Sequence, residues 1–441
     1  MEFRRPYPNS GVKIPENGFD YIVYQDGDNV VAKNGGTGEI EFEGTDVGEV
    51  ITNIPDNSSI AIKSGYYKYS TPITLSGKNT LGQKSLIGFG RVQLEYTGND
   101  RAIIIDGTSK AQRGIVISNI ELYVGNGATG IWVEATAPSY VSQVRLDNVY
   151  IMSRNYLSNR YKYGIYFNGT NNGGEVNMVV LNNIQTIGYE DGGYGVYARG
   201  VTEFMINNYA SNPYLSSGFT NNTYSLYYIG GNLSANQVFV DAPVFLSGNT
   251  ITINTITFEG NFASTDAGDA LQIYGNNITI NSLRASNLTA YKLINIGSYS
   301  SNIKISDIYS AGTNNIKYLF GFGTDIKDVI IENMSIPSSQ YTYLSGAVFP
   351  DGIRFIGGLM QRSGVVTFTG DGTTTTFSVA HGLVMYPASI STTPRVYYMV
   401  ALDENAKGYS TFSADSTYLY VTFPTALPSG STATFYWYAE V

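Results

Sequence analysis

The pattern of apolar and polar positions repeats along the chain, most clearly between residues 244 and 283. The segment VFLSGNTITINTI at 244–256 is followed by LQIYGNNITINSL at 271–283, so matching positions lie 27 residues apart. Each copy is a short alternating strand, a Gly-Asn corner and a second alternating strand. Alternation of this kind predicts strands with one buried face. Because no helical period separates the strands, the repeat predicts one coil of a parallel β-solenoid stacked on the next.

The second-strand motif recurs from about residue 60 to residue 359, mostly at spacings of 23–29 residues with one of 35. That length is typical of a three-sided coil, and the longer spacing predicts an inserted loop. Asn at matching corners tolerates the left-handed backbone conformation, and stacked Asn side chains are expected to bond to each other along the solenoid. The motif occurs at Val116–Ile120, Arg145–Val149, Val180–Ile184, Met205–Tyr209, Ile253–Ile256, Ile280–Leu283, Ile305–Ile308 and Ile331–Met334.

Changes in this pattern predict three parts of the chain. Residues 1–45 are an N-terminal attachment arm and cap, residues 46–362 form the parallel β-helix, and residues 363–441 form a C-terminal β-sandwich. A short helix is expected to start near residue 45, with Thr45 or Asp46 as its N-cap, and to cover the open end of the solenoid. After Leu359 longer alternating strands with Gly-Asp-Gly and Pro-Ser-Gly turns predict the sandwich.

Two segments resemble known proteins. The run YIVYQDGD to AKNGGTGEIEFEGTD, with IAIKSGYY, ITL and LIGFG after it, resembles the opening segment of pectate-lyase-like right-handed β-helix proteins, versions of which occur among archaeal and viral surface proteins. GDGTTTTFSVAHGL and YLYVTFPTALPSGSTATFYWYAEV are similar to the small β-sandwiches that end many phage tail fibres and tailspikes. The resemblance implies an all-β chain: a right-handed parallel β-helix (pectin-lyase-like solenoid) followed by a C-terminal β-sandwich.

Composition narrows the classes of partner. Only 14% of residues are charged, the formal net charge is −9, and Lys and Arg are not clustered, which argues against nucleic acid as a partner. With no Cys and one His, His381, the sequence excludes disulfides, thiol catalysis and a His-rich zinc site. No cofactor or metal is predicted. No run approaches 18 apolar residues and Met1–Ser10 lacks an apolar segment, so neither membrane insertion nor a cleaved signal is expected.

The first strand of each coil carries aromatic residues at positions that alternate with the aliphatic ones. With the aliphatic residues inward, stacking by one coil predicts an outer ladder of rings. Such an apolar strip is rarely exposed to solvent on a monomer. We therefore consider three explanations: a subunit interface or a cover from the long loops, a glycan-stacking platform, and a wrong assignment of inward and outward positions. The turn Tyr189–Tyr194 adds two further rings. The candidates for glycan binding or a subunit interface are Trp132, Tyr166, Tyr189, Tyr194, Tyr197, Tyr227, Phe245, Tyr274 and Phe320.

Candidate catalytic residues are weak. Glu190 and Asp191, with Arg199 nearby, offer an acid/base pair for glycoside cleavage, which needs two carboxylates flanking the bond. Adjacent residues tend to diverge, so a structural turn is the simpler interpretation. Polygalacturonase-like enzymes carry an Asp-Asp pair and a Gly-His-Gly, which this chain lacks. The calcium-binding constellation of pectate lyases is scattered in sequence and stays open.

The resemblance implies a virion tailspike or receptor-binding spike, extracellular on the virion surface and from a virus of archaea or a phage. Such a spike is expected to be a homotrimer, to contact other virion tail proteins through its N-terminal region, and to adhere to a host-surface glycan or glycoprotein. One alternative is a polysaccharide lyase or glycoside hydrolase on the same scaffold. Another is a cellular surface adhesin.

Overall fold

The computed structural model describes most of the 441-residue chain, and strands make up 70% of it against 4% helix. The predicted all-β class is therefore confirmed. Residues 1–17 of the predicted attachment arm lie outside the described residues. The described ranges are 18–75, 84–108, 111–155, 159–171, 174–213, 223–262, 268–336, 340–345, 353–356, 361–381, 383, 393–394 and 396–440.

Three antiparallel strands and one helix open this part of the chain: β1 Tyr21–Asp26, β2 Asn29–Asn34, β3 Ile40–Gly44 and α1 Val47–Asn53. β2 pairs with β1 on one side and β3 on the other, while β1 also pairs in parallel with β4, Ser59–Tyr69. Asp46 is the N-cap of α1, because its carboxylate accepts hydrogen bonds from Gly48 N at 2.8 Å and Glu49 N at 3.3 Å. The helix prediction is confirmed.

The solenoid follows as a series of parallel strands. Their bounds are β5 Ile73–Thr74, β6 Ser85–Tyr96, β7 Arg101–Gly107, β8 Gln112–Arg113, β9 Val116–Val124, β10 Thr129–Thr136, β11 Tyr140–Ser153, β12 Tyr161–Asn171, β13 Glu175–Asn182, β14 Ile184–Ile187, β15 Tyr189–Asn212, β16 Tyr224–Val240, β17 Val244–Asn261, β18 Leu271–Ile296, β19 Ser301–Ile305, β20 Ile308–Ala311, β21 Asn315–Phe322, β22 Lys327–Glu332, β23 Tyr341–Ser345 and β24 Ile353–Ile356.

Each coil has three sides. In one coil β10 belongs to the first sheet, the start of β11 pairs with β13 in the second sheet, and the end of β11 pairs with β14 in the third. Asn148 lies at the bend between the second and third sheets with φ of 52°. Every coil thus presents one strand to each of three outer faces.

Equivalent aliphatic residues stack inside the solenoid. Consecutive parallel registers place one buried column along Ile60, Leu86, Ile117, Leu146, Leu181, Ile206, Ala235, Ile253, Ile280, Ile305 and Ile331. The parallel solenoid predicted from the repeat is confirmed. The structure adds a coil at Ala235, between Ile206 and Ile253, which the motif did not identify.

Asn side chains form a hydrogen-bonded ladder at one corner. Asn119, Asn148 and Asn183 have φ of 56°, 52° and 52°. Their side-chain amides link successive coils: Asn148 Nδ2 donates to Asn119 Oδ1 at 3.0 Å and Asn183 Nδ2 to Asn148 Oδ1 at 3.0 Å. Asn208 continues the ladder with a 2.7 Å bond to Asn183. The predicted role of Asn at the corners is confirmed.

The C-terminal strands form two three-stranded antiparallel sheets, consistent with the predicted sandwich. The strands are β25 Gln361–Thr369, β26 Thr376–Ala380, β27 Val396–Ala401, β28 Thr411–Ala414, β29 Tyr418–Thr422 and β30 Thr432–Glu440, with a 3-10 turn at Ala406–Gly408. One sheet has the order β25-β30-β27 and the other β26-β29-β28. Their core, which includes Phe368, Leu419 and Phe435, is a cluster separate from that of the solenoid. His381 is buried and its Nδ1 accepts from Leu383 N at 3.1 Å.

We expect the C-terminal sandwich to fold without the solenoid, because its apolar cluster is its own. The test fragment spans residues 361–441, which retain all of β25, and far-UV circular dichroism with thermal melting measures its folding. A cooperative melt is expected. If the fragment shows no cooperative transition, the proposed domain boundary near residue 363 is wrong.

Candidate functional site

Six rings stack on the outer face of the first sheet. We call them the aromatic column: Trp132, Tyr166, Tyr197, Tyr227, Phe245 and Tyr274. Neighbouring ring centroids lie 3.9–5.3 Å apart and their planes differ by 1–24°. Parallel register aligns the first five rings, since Trp132 pairs with Tyr166, Tyr166 with Tyr197, Tyr197 with Tyr227 and Tyr227 with Phe245. Tyr274 lies two residues further along its strand, opposite Ser247, and its ring stacks on Phe245 from there. The ladder predicted from alternation is therefore present over these coils.

Both ends of the aromatic column are covered. The Arg101 guanidinium lies over Trp132, 3.9 Å from the ring centroid. At the other end the Tyr274 ring packs on Gly297, where an added Cβ would lie 2.0 Å from a ring carbon. Because neighbouring rings cover each other's faces, the column presents ring edges and hydroxyl groups to the outside. Sugar faces stacked on the inner rings, as the sequence suggested, do not fit this geometry.

A second column of tyrosines lies beside the first. Tyr163 stacks on Tyr194 at 5.1 Å and Tyr194 on Tyr224 at 5.8 Å. Each meets the aromatic column edge to face, as Tyr194 does Tyr197 at 5.2 Å and 83°. Among the sequence candidates only Tyr194 belongs to this column. The signal for the rest was the recurring Tyr-x-x-Tyr, in YGIY at 163, YGVY at 194 and YSLY at 224.

Burial raises the pKa of several hydroxyl groups in the two columns. It raises the pKa of Tyr166 to about 12, with further effects from nearby Tyr197 and Tyr163. Burial likewise raises the pKa of Tyr194 far above its ordinary value. A neutral tyrosine both donates and accepts hydrogen bonds. Tyr166 and Tyr194 thus present neutral hydroxyl groups at neutral pH.

A row of three polar side chains runs alongside the first part of the aromatic column, two residues further along β10, β12 and β15. Glu134 pairs in register with Asn168, and Asn168 with Arg199. Glu134 is held from both sides: Trp132 Nε1 donates to Oε2 at 3.0 Å, and Asn168 Nδ2 to Oε1 at 3.5 Å. Arg199 is exposed. Rings, an amide and both signs of charge thus share one outer face.

Two sequence candidates do not lie on this face. Tyr189 is 0% exposed, and its hydroxyl group bonds Ser211 Oγ at 3.0 Å and Ser225 Oγ at 2.9 Å inside the solenoid. Phe320 is also fully buried, because its strand places it beside the buried Ile294. The expectation that Tyr189 and Phe320 contribute to an outer site is wrong.

Two of the three catalytic candidates, Glu190 and Asp191, lie at a corner. Asp191 Oδ1 accepts from Thr223 Oγ1 at 2.9 Å, and the same hydroxyl oxygen accepts from Gly192 N at 2.7 Å. Gly192 has φ of 80°, a conformation that favours glycine. Glu190 lies in the same corner, whereas Arg199 belongs to the polar row. Within the described ranges no group of three or more His, Cys, Asp or Glu residues is arranged to hold a metal.

None of the helices in the part of the chain that the structure describes has the length and apolar character needed to span a membrane. No protein-family model and no curated protein matches the sequence.

Several solved structures resemble this one. The Gp54 tailspike of Acinetobacter baumannii bacteriophage AP22, in complex with capsular saccharide, has a TM-score of 0.42 at 8% identity, covering 90% of this chain and 94% of that one. The tailspike of Acinetobacter baumannii phage AM24 has a TM-score of 0.35 at 9% identity over 90% and 80% of the two chains. An alginate lyase from Paenibacillus sp. str. FPU-7 has a TM-score of 0.36 at 11% identity over 68% and 95%. At these values the chain is similar to phage tailspikes and a lyase in outline only, and the likeness carries no argument about its activity.

Proposed function

We propose that this chain is the rod of an adhesive spike, a virion tailspike or receptor-binding protein that attaches to a host-surface glycan or glycoprotein. The observation that carries the proposal is the outer face of the first sheet, where the aromatic column and the polar row run side by side. Stacked rings are held rigid before any partner arrives, so little side-chain entropy is lost on contact.

Adhesion rather than cleavage is proposed because Asp191 is engaged in its corner. The extracellular virion location, the contacts with other tail proteins and the homotrimer are parts of the same proposal. A subunit interface is the second candidate for this face, because a strip of half-buried rings favours a covering partner.

Binding to an array of microbial capsular and cell-wall polysaccharides tests the proposal. We expect the full chain to bind at least one polysaccharide without shortening it, and the Tyr197→Ala/Tyr227→Ala double variant to bind about tenfold more weakly, since two anchoring rings are lost. Tyr309→Ala, which removes a ring 36% exposed on another face, is the control. Unchanged binding by the double variant would remove the aromatic column from the adhesive site.

Light scattering on the same proteins separates the two candidates for the face. If the aromatic column is a subunit interface, the wild-type chain is a trimer and the double variant dissociates. If the column contacts the glycan alone, the mass of the double variant equals that of the wild type. Depolymerisation of a bound polysaccharide that stops in a Glu190→Gln/Asp191→Asn variant would overturn the adhesion-only proposal.

A further inference from the structure

A groove of about 530 Å³ lies on the third sheet, away from the aromatic column. We call it the Tyr66 groove, and it is lined by Tyr66, Gln93, Glu95, Tyr123, Arg154, Asn155 and Asn159. Its volume is within the range of roughly 300–1,000 Å³ that small-ligand sites occupy. Parallel register brings the lining together, since Tyr66 pairs with Gln93 and Glu95 with Tyr123 on successive coils.

A buried carboxylate holds two of the side chains that line the groove. Glu121 is 2% exposed and accepts hydrogen bonds from Gln93 Nε2 at 2.8 Å, Tyr123 Oη at 3.1 Å and Arg91 Nε at 3.2 Å. Gln93 Nε2 also donates to Tyr123 Oη at 3.0 Å. A satisfied polar network of this kind fixes the side chains before a ligand arrives.

The upper part of the groove offers paired donors and acceptors. Arg154 contacts Glu95 Oε1 at 2.5 Å, and the two side chains are 26% and 13% exposed. The guanidinium keeps further donors and the carboxylate a second oxygen. The side-chain oxygen of Asn159, Oδ1, accepts from Asn126 N, so Asn159 offers its side-chain amide nitrogen, Nδ2, as a donor to a ligand. The groove thus has donors on Arg154 and Asn159 and an acceptor on Glu95. Such a set can bind a ligand with adjacent hydroxyl groups, because each hydroxyl group both donates and accepts a hydrogen bond.

Tyr66 supplies an apolar wall. It is 47% exposed, and its backbone oxygen is held by Gln25 Nε2 at 2.9 Å. The aromatic column has its ring faces covered by other rings, whereas almost half of Tyr66 reaches solvent. An aromatic ring of this kind can pack against the C–H face of a sugar ring.

We infer that the Tyr66 groove binds one or two units of a neutral saccharide. Each carboxylate is paired with a guanidinium, Glu95 with Arg154 and Glu121 with Arg91. The charges near the groove therefore compensate each other, which favours a neutral ligand over an anion or a cation. The inference rests on the proposed adhesive function for the source of the ligand, a surface glycan, and deepens it by naming the class of sugar and a second contact site.

Biolayer interferometry on the full chain tests the inference. The neutral probes are oligomers of glucose, galactose, mannose and N-acetylglucosamine, and the anionic probes are oligogalacturonate and sulfated dextran. We expect at least one neutral oligomer to bind, and Tyr66→Ala and Glu95→Gln each to weaken it about tenfold or more through loss of the ring or of a charge-assisted hydrogen bond. Tyr309→Ala is the matched control, because residue 309 lies in the same outward column of the third sheet, several coils away.

The inference is supported if a neutral oligomer binds the wild type and Tyr309→Ala but not Tyr66→Ala or Glu95→Gln. The melting curves of these variants must match that of the wild type. Binding of anionic probes alone, of none of the probes, or of a neutral probe that survives both groove variants overturns it. If binding disappears only in the Tyr197→Ala/Tyr227→Ala variant, the groove inference fails while the proposed adhesive face stands.

Discussion

The Asp241→Asn variant is expected to melt at a higher temperature than the wild-type protein at pH 8 and at the same temperature near pH 4. Burial, together with the Glu259 carboxylate on the next coil, raises the pKa of Asp241 from 3.8 to about 7. One carboxylate oxygen, Oδ1, is buried without a hydrogen-bond partner among the described residues. The folded protein therefore holds this proton more tightly than the unfolded chain does.

The folded protein loses stability as the pH rises, because the folded state binds the Asp241 proton more tightly than the unfolded chain does. Below about pH 4 the carboxyl group is protonated in both states and costs nothing, whereas between pH 4 and pH 7 the folded state progressively loses stability relative to the unfolded one. The full shift corresponds to about 4 kcal/mol. Because part of the residue reaches solvent, we expect Asp241→Asn to recover about 2 kcal/mol above pH 7.

Thermal melting at pH 4, 6 and 8 measures this dependence. Glu259→Gln is the control, because it removes the neighbouring negative charge and is expected to give a smaller gain in the same pH window. Equal melting temperatures for wild type and Asp241→Asn at pH 8 would show that Asp241 ionises without cost in the folded protein.

Tyr189→Ala is expected to destabilise the protein by about 3–5 kcal/mol, the cost of removing a large buried aromatic side chain. Tyr189 is fully buried, and its hydroxyl group joins a network with Ser211 and Ser225. Gly195 is packed against the same network, since an added Cβ there would lie 2.7 Å from Ser211 Oγ. The space left by the ring therefore has little chance to close.

Chemical denaturation of the full chain measures the loss, with Tyr189→Phe as the matched control. The phenylalanine keeps the ring and removes only the hydroxyl group, so we expect a loss of about 1–2 kcal/mol. An unchanged denaturation midpoint for Tyr189→Ala would mean that the residue lies on the surface, as the sequence suggested.

Much of the fold was predictable because a solenoid repeats both its spacing and its alternation. Once Ile253 and Ile280 were aligned, parallel register placed every residue between them, and the Asn corners followed from the one residue type that tolerates their backbone conformation. The sequence motif did not identify the coil at Ala235, because Ala235 lies only 18 residues before Ile253 and other coils carry a branched aliphatic residue at this position.

The candidate site was predictable in its main column and not in its details. The residues that point outward are easily identified in segments such as GIYFN, where single aromatic residues alternate with aliphatic ones. It is ambiguous at Leu319-Phe320, where two apolar residues adjoin and both are buried. The register between β12 and β15 shifts between Tyr189 and Tyr194. Alternation counted back from Tyr197 therefore places Tyr189 on the wrong face. The Tyr66 groove depends on long side chains from several coils, which spacing alone does not reveal.

The antiparallel strands β1, β2 and β3 affect whether a second molecule can add to this end of the solenoid. A parallel solenoid ends in a strand with unpaired backbone groups, a template on which a second molecule can add. In this chain β2 occupies that edge of β1, and β3 then covers β2. The outermost strand carries Glu41 and Glu43, charges that would repel the same strand of a second copy. Fibre formation by end-to-end strand addition is thereby opposed at this end.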